Sequence, residues 1–214
     1  MVCAVSIHWM NMHIIFPLRV GVAIPFIYIG TIIVSSLFYP GYSQSRQFVS
    51  ELGASGAPHP WIFNAGLALT ATATIIAAFG FLRAFESLAA NPVLAWLTST
   101  IVSIFGVSLL MGGLFPLPDP RHSAYELQKV VLVGPMLFAA TLWKHDKARL
   151  LNILLLAINV ALVVMFLLVM GVGGVATREN AGILQRLAIL TTIPWIGIGA
   201  YWLLRYVRKA SSRL

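Results

Sequence analysis

The chain is poor in cysteine, in charge and above all in acid. Cys3 is its only cysteine, which excludes an intrachain disulfide and any Cys-x-x-Cys metal or redox site and leaves the redox compartment unread. Only 9% of the 214 residues are charged, against about 25% in an ordinary soluble domain. Six residues are acidic. There is no phosphate-cradling glycine loop, dinucleotide fingerprint, GxSxG or HExxH motif, and no haem-ligand pair in facing apolar segments. Residues 1–16 hold neither Lys nor Arg, so they lack the basic region of a cleaved signal peptide. The first apolar run is therefore expected to stay as a membrane span.

What remains is apolar. Hydrophobic residues make up 59% of the sequence and the mean hydropathy is +0.90, more than a single soluble core absorbs without large exposed patches. The formal charge of +8 sits mostly on basic residues flanking apolar runs. That pattern reads as topology and contact with anionic headgroups. No RNA-binding signature accompanies it. The expected partners are membrane lipids, with no nucleic acid.

A spanning helix needs about 20 mostly apolar residues. Six segments meet or approach this: 17–38, 61–82, 93–115, 127–143, 150–172 and 183–204. The fourth is the weakest, being short and starting in the polar stretch YELQK. Pro25, Pro135 and Pro194 fall inside spans, where kinks are tolerated. The expected fold is all-α, an integral membrane bundle of six transmembrane helices over 17–204, with an N-terminal extension at 1–16 and a basic cytoplasmic tail at 205–214. Met10 and Met12 are alternative starts. With the N-terminus cytoplasmic, that side holds Arg19, Arg83, Lys144, Lys147, Arg149, Arg205, Arg208, Lys209 and Arg213, and the other Arg46, Arg121, Lys129, Arg178 and Arg186. The bias places both termini inside.

This topology gathers the unusual residues. The outer loops contain Glu51, Asp119, Glu126 and Glu179, most of the acids in the chain. The first, SQSRQFVSELGASGAPHPWIFN (43–64), carries Arg46, Ser50, Glu51, His59 and Asn64. Its spacing predicts a short interfacial helix, ended by Gly53 and Gly56, with Pro60 opening the second span. The second, GGLFPLPDPRHSAYE (112–126), is stiffened by prolines around Asp119, and a turn would bring Asp119 to His122. The third, TRENAGILQRLAIL (177–190), places Gln185 and Arg186 at the outer end of the last span, where Arg186 needs a partner such as Glu51 or Asp119.

These stretches resemble one family. VSELGASGAPHPWIFNAGL (49–67) is similar to an Ile-Ser-Asp-Leu-Gly segment followed by Phe-Asn in DUF998, a family of multi-pass prokaryotic membrane proteins. GGLFPLPDPRHSAYE resembles its Gly-x-Phe-Pro and Asp-x-x-x-His region, and GILQRL (182–187) its Gly-x-x-Gln/Glu-Arg. Glu51 stands where Asp is usual, and Asp119 and His122 are three apart rather than four. The resemblance implies a prokaryotic plasma membrane and no known activity. The layout is also similar to hydrolases that hold zinc with three histidines, but only His59 and His122 lie on the outer side here.

Three readings stand at this level. In the first, the chain binds or processes a lipid or lipid-linked substrate: Ser50 is a candidate nucleophile, His122 a base, and Glu51 or Asp119 the orienter or acid. Arg46, His59, Asn64, Gln185 and Arg186 are candidate substrate contacts, with Arg46 and Arg186 suited to a phosphate. No cofactor is evident; a divalent metal on His59, His122 and a carboxylate is a variant. In the second the protein is a transporter, although no ionisable group sits mid-span in the second, third or fifth segment. In the third the polar cluster is an ion-pair lock with a structural role.

Overall fold

The computed structural model describes residues 11–211; His8 and Arg213 lie outside them. Every regular element among these residues is helical. A π-helical turn, Asn11–Ile15, runs into α1 (Phe16–Leu37). There follow α2 (Pro60–Ser87), α3 (Pro92–Leu114), α4 (Gly134–Thr141), α5 (Arg149–Val169), α6 (Ala181–Thr192) and α7 (Pro194–Ser211). Five helical stretches are long and apolar enough to cross a membrane: His13–Leu37, Pro60–Ser87, Pro92–Leu114, Asp146–Val169 and Ala181–Lys209. The chain is built as a multi-pass membrane protein. Large apolar side chains stand on its outside, among them Phe26 (76% exposed) and Leu150 (80%), a surface that lipid rather than water accommodates.

Proline and asparagine set the helix starts. Pro60 and Pro92 occupy first-turn positions, where the missing N–H costs nothing. Asn91 caps α3, its Oδ1 accepting the Leu94 N–H at 3.1 Å. Small residues then let the helices close on one another. A Cβ at Gly106 of α3 would lie 3.1 Å from the Ala71 carbonyl of α2, and one at Gly80 of α2 would lie 2.7 Å from Pro17 of α1. Close backbone approach of this kind is how membrane helices associate without a hydrophobic driving force. α2 packs on both α1 and α3, α7 on α1, and α5 on α4 and α6.

The fourth segment is not one α-helix. Residues Pro120–Val133 form 3-10 turns, broken at Glu126, which takes φ +69°. Only Gly134–Thr141 is α-helical, with Pro135 in its first turn rather than mid-helix. At about 2 Å per residue in the 3-10 stretch and about 1.5 Å in the α-helix, Leu127 to Thr141 reaches about 26 Å, slightly less than a bilayer core of about 30 Å. The last expected span is likewise divided, α6 ending just before Pro194, whose ring and missing N–H interrupt the ladder. Helical structure also runs across two of the expected boundaries. The expected extension at 1–16 is helical from Asn11 and continuous with α1. The expected tail at 205–214 is helical through Ser211, since nothing after Pro194 breaks α7 and Val207 is still buried.

The packing differs between the two ends. Phe81 and Phe85 of α2, Phe138 of α4 and Trp195 of α7 form a buried aromatic cluster with centroid separations of 5.1–6.3 Å. Edge-to-face geometry dominates there. This core fills the half of the bundle nearer the short connections 88–91 and 142–148. Toward the long loops 38–59, 115–126 and 170–180, α5 adds little to the core. Of its residues, Leu151, Asn152, Leu155 and Leu162 are buried, and none beyond Leu162.

Candidate functional site

The long loops meet at one end of the bundle, and backbone groups do most of the joining. The Ser55 N–H donates to the Leu117 carbonyl at 2.9 Å, tying the first loop to the second. The Gly182 and Ile183 N–H groups at the start of α6 both donate to the Ser45 carbonyl, at 2.8 and 3.2 Å, tying the first loop to the third. Gly182 is required for this approach: a Cβ there would fall 2.4 Å from the Gln47 carbonyl oxygen and 2.7 Å from that of Gln44.

Arg186 completes the joint. Its Nη2 donates to the Tyr42 hydroxyl at 2.7 Å and its Nη1 to the carbonyls of Gln47 (3.1 Å) and Gly182 (2.9 Å). Its guanidinium also lies over the Tyr42 ring at 5.5 Å, a favourable cation–π distance. Tyr42 in turn donates to the Phe48 carbonyl at 2.8 Å. Burial pushes the Tyr42 phenol above its ordinary pKa, and the Arg186 hydrogen bond partly offsets this. The expected carboxylate partner is absent: among the described residues no Asp or Glu lies within ion-pair distance of Arg186. Glu51 instead closes its own turn, accepting the Phe48 N–H at 2.8 Å and the Gln47 Nε2 at 3.1 Å. The interfacial helix reduces to a 3-10 turn, Val49–Gly53, ended at Gly53, with Val49 and Leu52 buried against the bundle and Phe48 exposed.

Several of the other candidates are also occupied locally. Asn64 Nδ2 donates to the Gly53 carbonyl at 3.0 Å, fastening the turn to α2. Asp119 takes the Arg121 backbone N–H, Nε and Nη2 at 2.7–3.0 Å, and Arg121 holds its carboxyl down to a pKa of about 2. His122 does not take the Asp119 carboxylate as its partner. Its Nδ1 lies 3.0 Å from the Phe115 carbonyl; an oxygen acceptor there assigns the proton to Nδ1. The Ser50 hydroxyl has no hydrogen-bond partner among the described residues, so the expected nucleophile–base pair with His122 is not formed. His59 is exposed and meets the Phe38 ring edge-on at 6.2 Å. Arg46 reaches Glu179 at 3.9 Å with both side chains largely exposed, a pairing worth little in water. Among the described residues no three of His, Cys, Asp and Glu gather to hold a metal ion, so His59, His122 and a carboxylate are not brought together for one.

Beneath this cap lies a cavity of about 290 Å³. Its wall is mainly apolar, with Phe105 and Leu109 of α3, Leu162 and Phe166 of α5 and Ile189 of α6. A few polar side chains join it: Tyr28 of α1, Gln128 and Lys129 of the 3-10 segment, and Gln185 and Thr192 of α6. Tyr28 is 8% exposed, and its hydroxyl has no hydrogen bond among the described residues. It sits about 14 Å below the loop end of α1 at 1.5 Å per residue. Lys129 is at the mouth, paired with Glu126 and 5.9 Å from the Phe166 ring centroid. Two larger grooves of about 490 Å³ lie elsewhere, one between α2 and α3 beside Leu82, Trp96 and Ile104, the other by Trp143 and Asn152. Each has a buried polar atom without a hydrogen bond, Ser99 Oγ and Asn152 Oδ1, but both atoms are closed off from the groove.

Residue types alone missed the groups that matter most here. Tyr42 reads as part of a turn, Gly182 as one small residue among many, and Tyr28 as part of an apolar run. Tyr28 did carry a signal, since tyrosine concentrates at the membrane interfaces and this one is well inside a span.

The family model described as a protein of unknown function, DUF998, matches residues 22–202. That covers all the helices from α1 into α7, and the chain belongs to this family. No curated protein and no solved structure matches the chain.

Proposed function

We propose that this DUF998 member crosses a prokaryotic plasma membrane six times, with both termini cytoplasmic, and that the cavity under its outer cap takes up the apolar part of a membrane amphiphile. The bias of basic residues supports the orientation, and the reach of Leu127–Thr141 supports a sixth crossing. The observation that carries the binding reading is the cavity itself: a mainly apolar chamber of about 290 Å³ lined by Tyr28, a residue only 8% exposed whose hydroxyl has no hydrogen bond among the described residues. It is near the lower end of the range for small-molecule sites, about 300–1,000 Å³, so it suits a chain segment or a small head rather than a whole lipid. The polar cluster above it serves as a fixed cap, because most of the side chains proposed for chemistry are engaged by partners within or between the loops. Catalysis at Ser50 has less support, since among the described residues no base is hydrogen-bonded to it.

The binding reading is tested by titrating delipidated protein with decanol and following thermal unfolding. The wild type is expected to be stabilised and the cavity-filling variant Ala188→Phe is not. A wild type indifferent to decanol would remove the reading. Orientation is tested separately, in a Cys3→Ser background, by labelling Ser45→Cys and Lys147→Cys in whole cells with an impermeant maleimide. Only the Ser45→Cys protein should react.

A further inference from the structure

We infer that the amphiphile taken by this cavity is uncharged and carries a carbonyl oxygen, which accepts from the Tyr28 hydroxyl and the Gln185 amide nitrogen. This rests on the cavity reading above and narrows its ligand. The argument comes from which hydrogen-bonding capacity is left over. Gln185 Oε1 accepts the Val49 N–H. That bond fixes the orientation of the amide, since only the oxygen can face an N–H donor. The Nε2 group is then the end without a partner among the described residues, and Gln185 lines the cavity. Tyr28 lines the same cavity with its hydroxyl also unpartnered. Tyr28 and Gln185 thus each bring a donor without a partner among the described residues to one mainly apolar wall, on which Gln128 is exposed, and a ligand that shields these donors from water has to supply an acceptor.

Charge points the same way. Among the described residues the only cation on the wall is Lys129, and it is already neutralised by Glu126. A carboxylate or phosphate would have to break that pair, and at the depth of Tyr28 it would meet neutral donors only. Thr192 does not compete for the acceptor, because its hydroxyl donates to the Ala188 carbonyl at 2.8 Å. Phe105 and Phe166 supply aromatic walls for an ester or a flat ring. The shared chemistry, a neutral carbonyl on an apolar body, occurs in acyl glycerides and in membrane quinones.

The test uses four probes on the purified full chain in detergent: monodecanoylglycerol, a decyl-benzoquinone, decanol and decanoate. One or both carbonyl probes are expected to bind about tenfold more tightly than decanol, and decanoate no better than decanol. Which carbonyl probe gains identifies the source. Tyr28→Phe and Gln185→Glu, the second keeping an acceptor for Val49, should each remove most of that gain, bringing the ratio of carbonyl-probe to decanol affinity toward one. The ¹³C-carbonyl stretch of the bound probe should shift down in the wild type and return toward its free position in Tyr28→Phe. If decanol binds as tightly as the carbonyl probes, or if decanoate binds best, the carbonyl assignment fails and the cavity reading survives. If no probe binds, both fail.

Discussion

Replacing Arg186 with Leu gives the sharpest test of how the loop end is held. The side chain makes two hydrogen bonds to the first loop, to the Tyr42 hydroxyl at 2.7 Å and the Gln47 carbonyl at 3.1 Å. Bonds from a charged donor contribute about 1.5–3 kcal/mol each. The lower figure applies, because Arg186 is partly exposed and water can replace it. The bond to Gly182 is within α6 and does not hold the loop. Loss of the joint is thus expected to lower the free energy of local opening by about 3 kcal/mol, or about a hundredfold in the opening constant. The reporters are the Gly182 and Ile183 amides, both donated to Ser45. Their hydrogen exchange reads local opening directly. A double-mutant cycle with Tyr42→Phe should show coupling of about 1–2 kcal/mol, and one with Glu51→Gln less than about 0.5 kcal/mol. Slow exchange at Gly182 in the Arg186→Leu protein, or strong coupling to Glu51 and none to Tyr42, would refute the reasoning and restore an ion-pair lock.

Gly182→Ala should detach the first loop by a steric route. The built Cβ meets backbone carbonyls at 2.4–2.8 Å, which cannot rotate away, so trypsin should cut after Arg46 faster than in the wild type while the transmembrane helices stay folded. Acid should act on the second loop. The folded Asp119 carboxyl titrates at about 2, below its ordinary 3.8, so its bond to Arg121 stabilises the loop above about pH 4 and is lost as the pH falls toward about 2. Difference infrared spectroscopy should place the Asp119 carboxyl band in that window, and Arg121→Gln should move its titration upward.

Much of this protein follows from its sequence alone. A chain with so little charge and so many apolar residues has to place its side chains in lipid, and Pro60 marks the start of the second span because a proline is readily accommodated in the first turn of a helix. The convergence of residues near 45, 117 and 182 was also legible, because alternating spans return every second loop to the same end. Partner choice was not. Arg186 was expected to seek a carboxylate, yet it binds a phenol and two carbonyls, because an irregular loop leaves backbone acceptors that residue types do not reveal. The fourth and last spans were drawn as single helices, but a positive φ at Glu126 and the break before Pro194 divide them. The cavity was invisible for a related reason. Tyr28, Lys129, Phe166 and Gln185 belong to four separate segments, and only the tertiary packing of those segments places them around a common space.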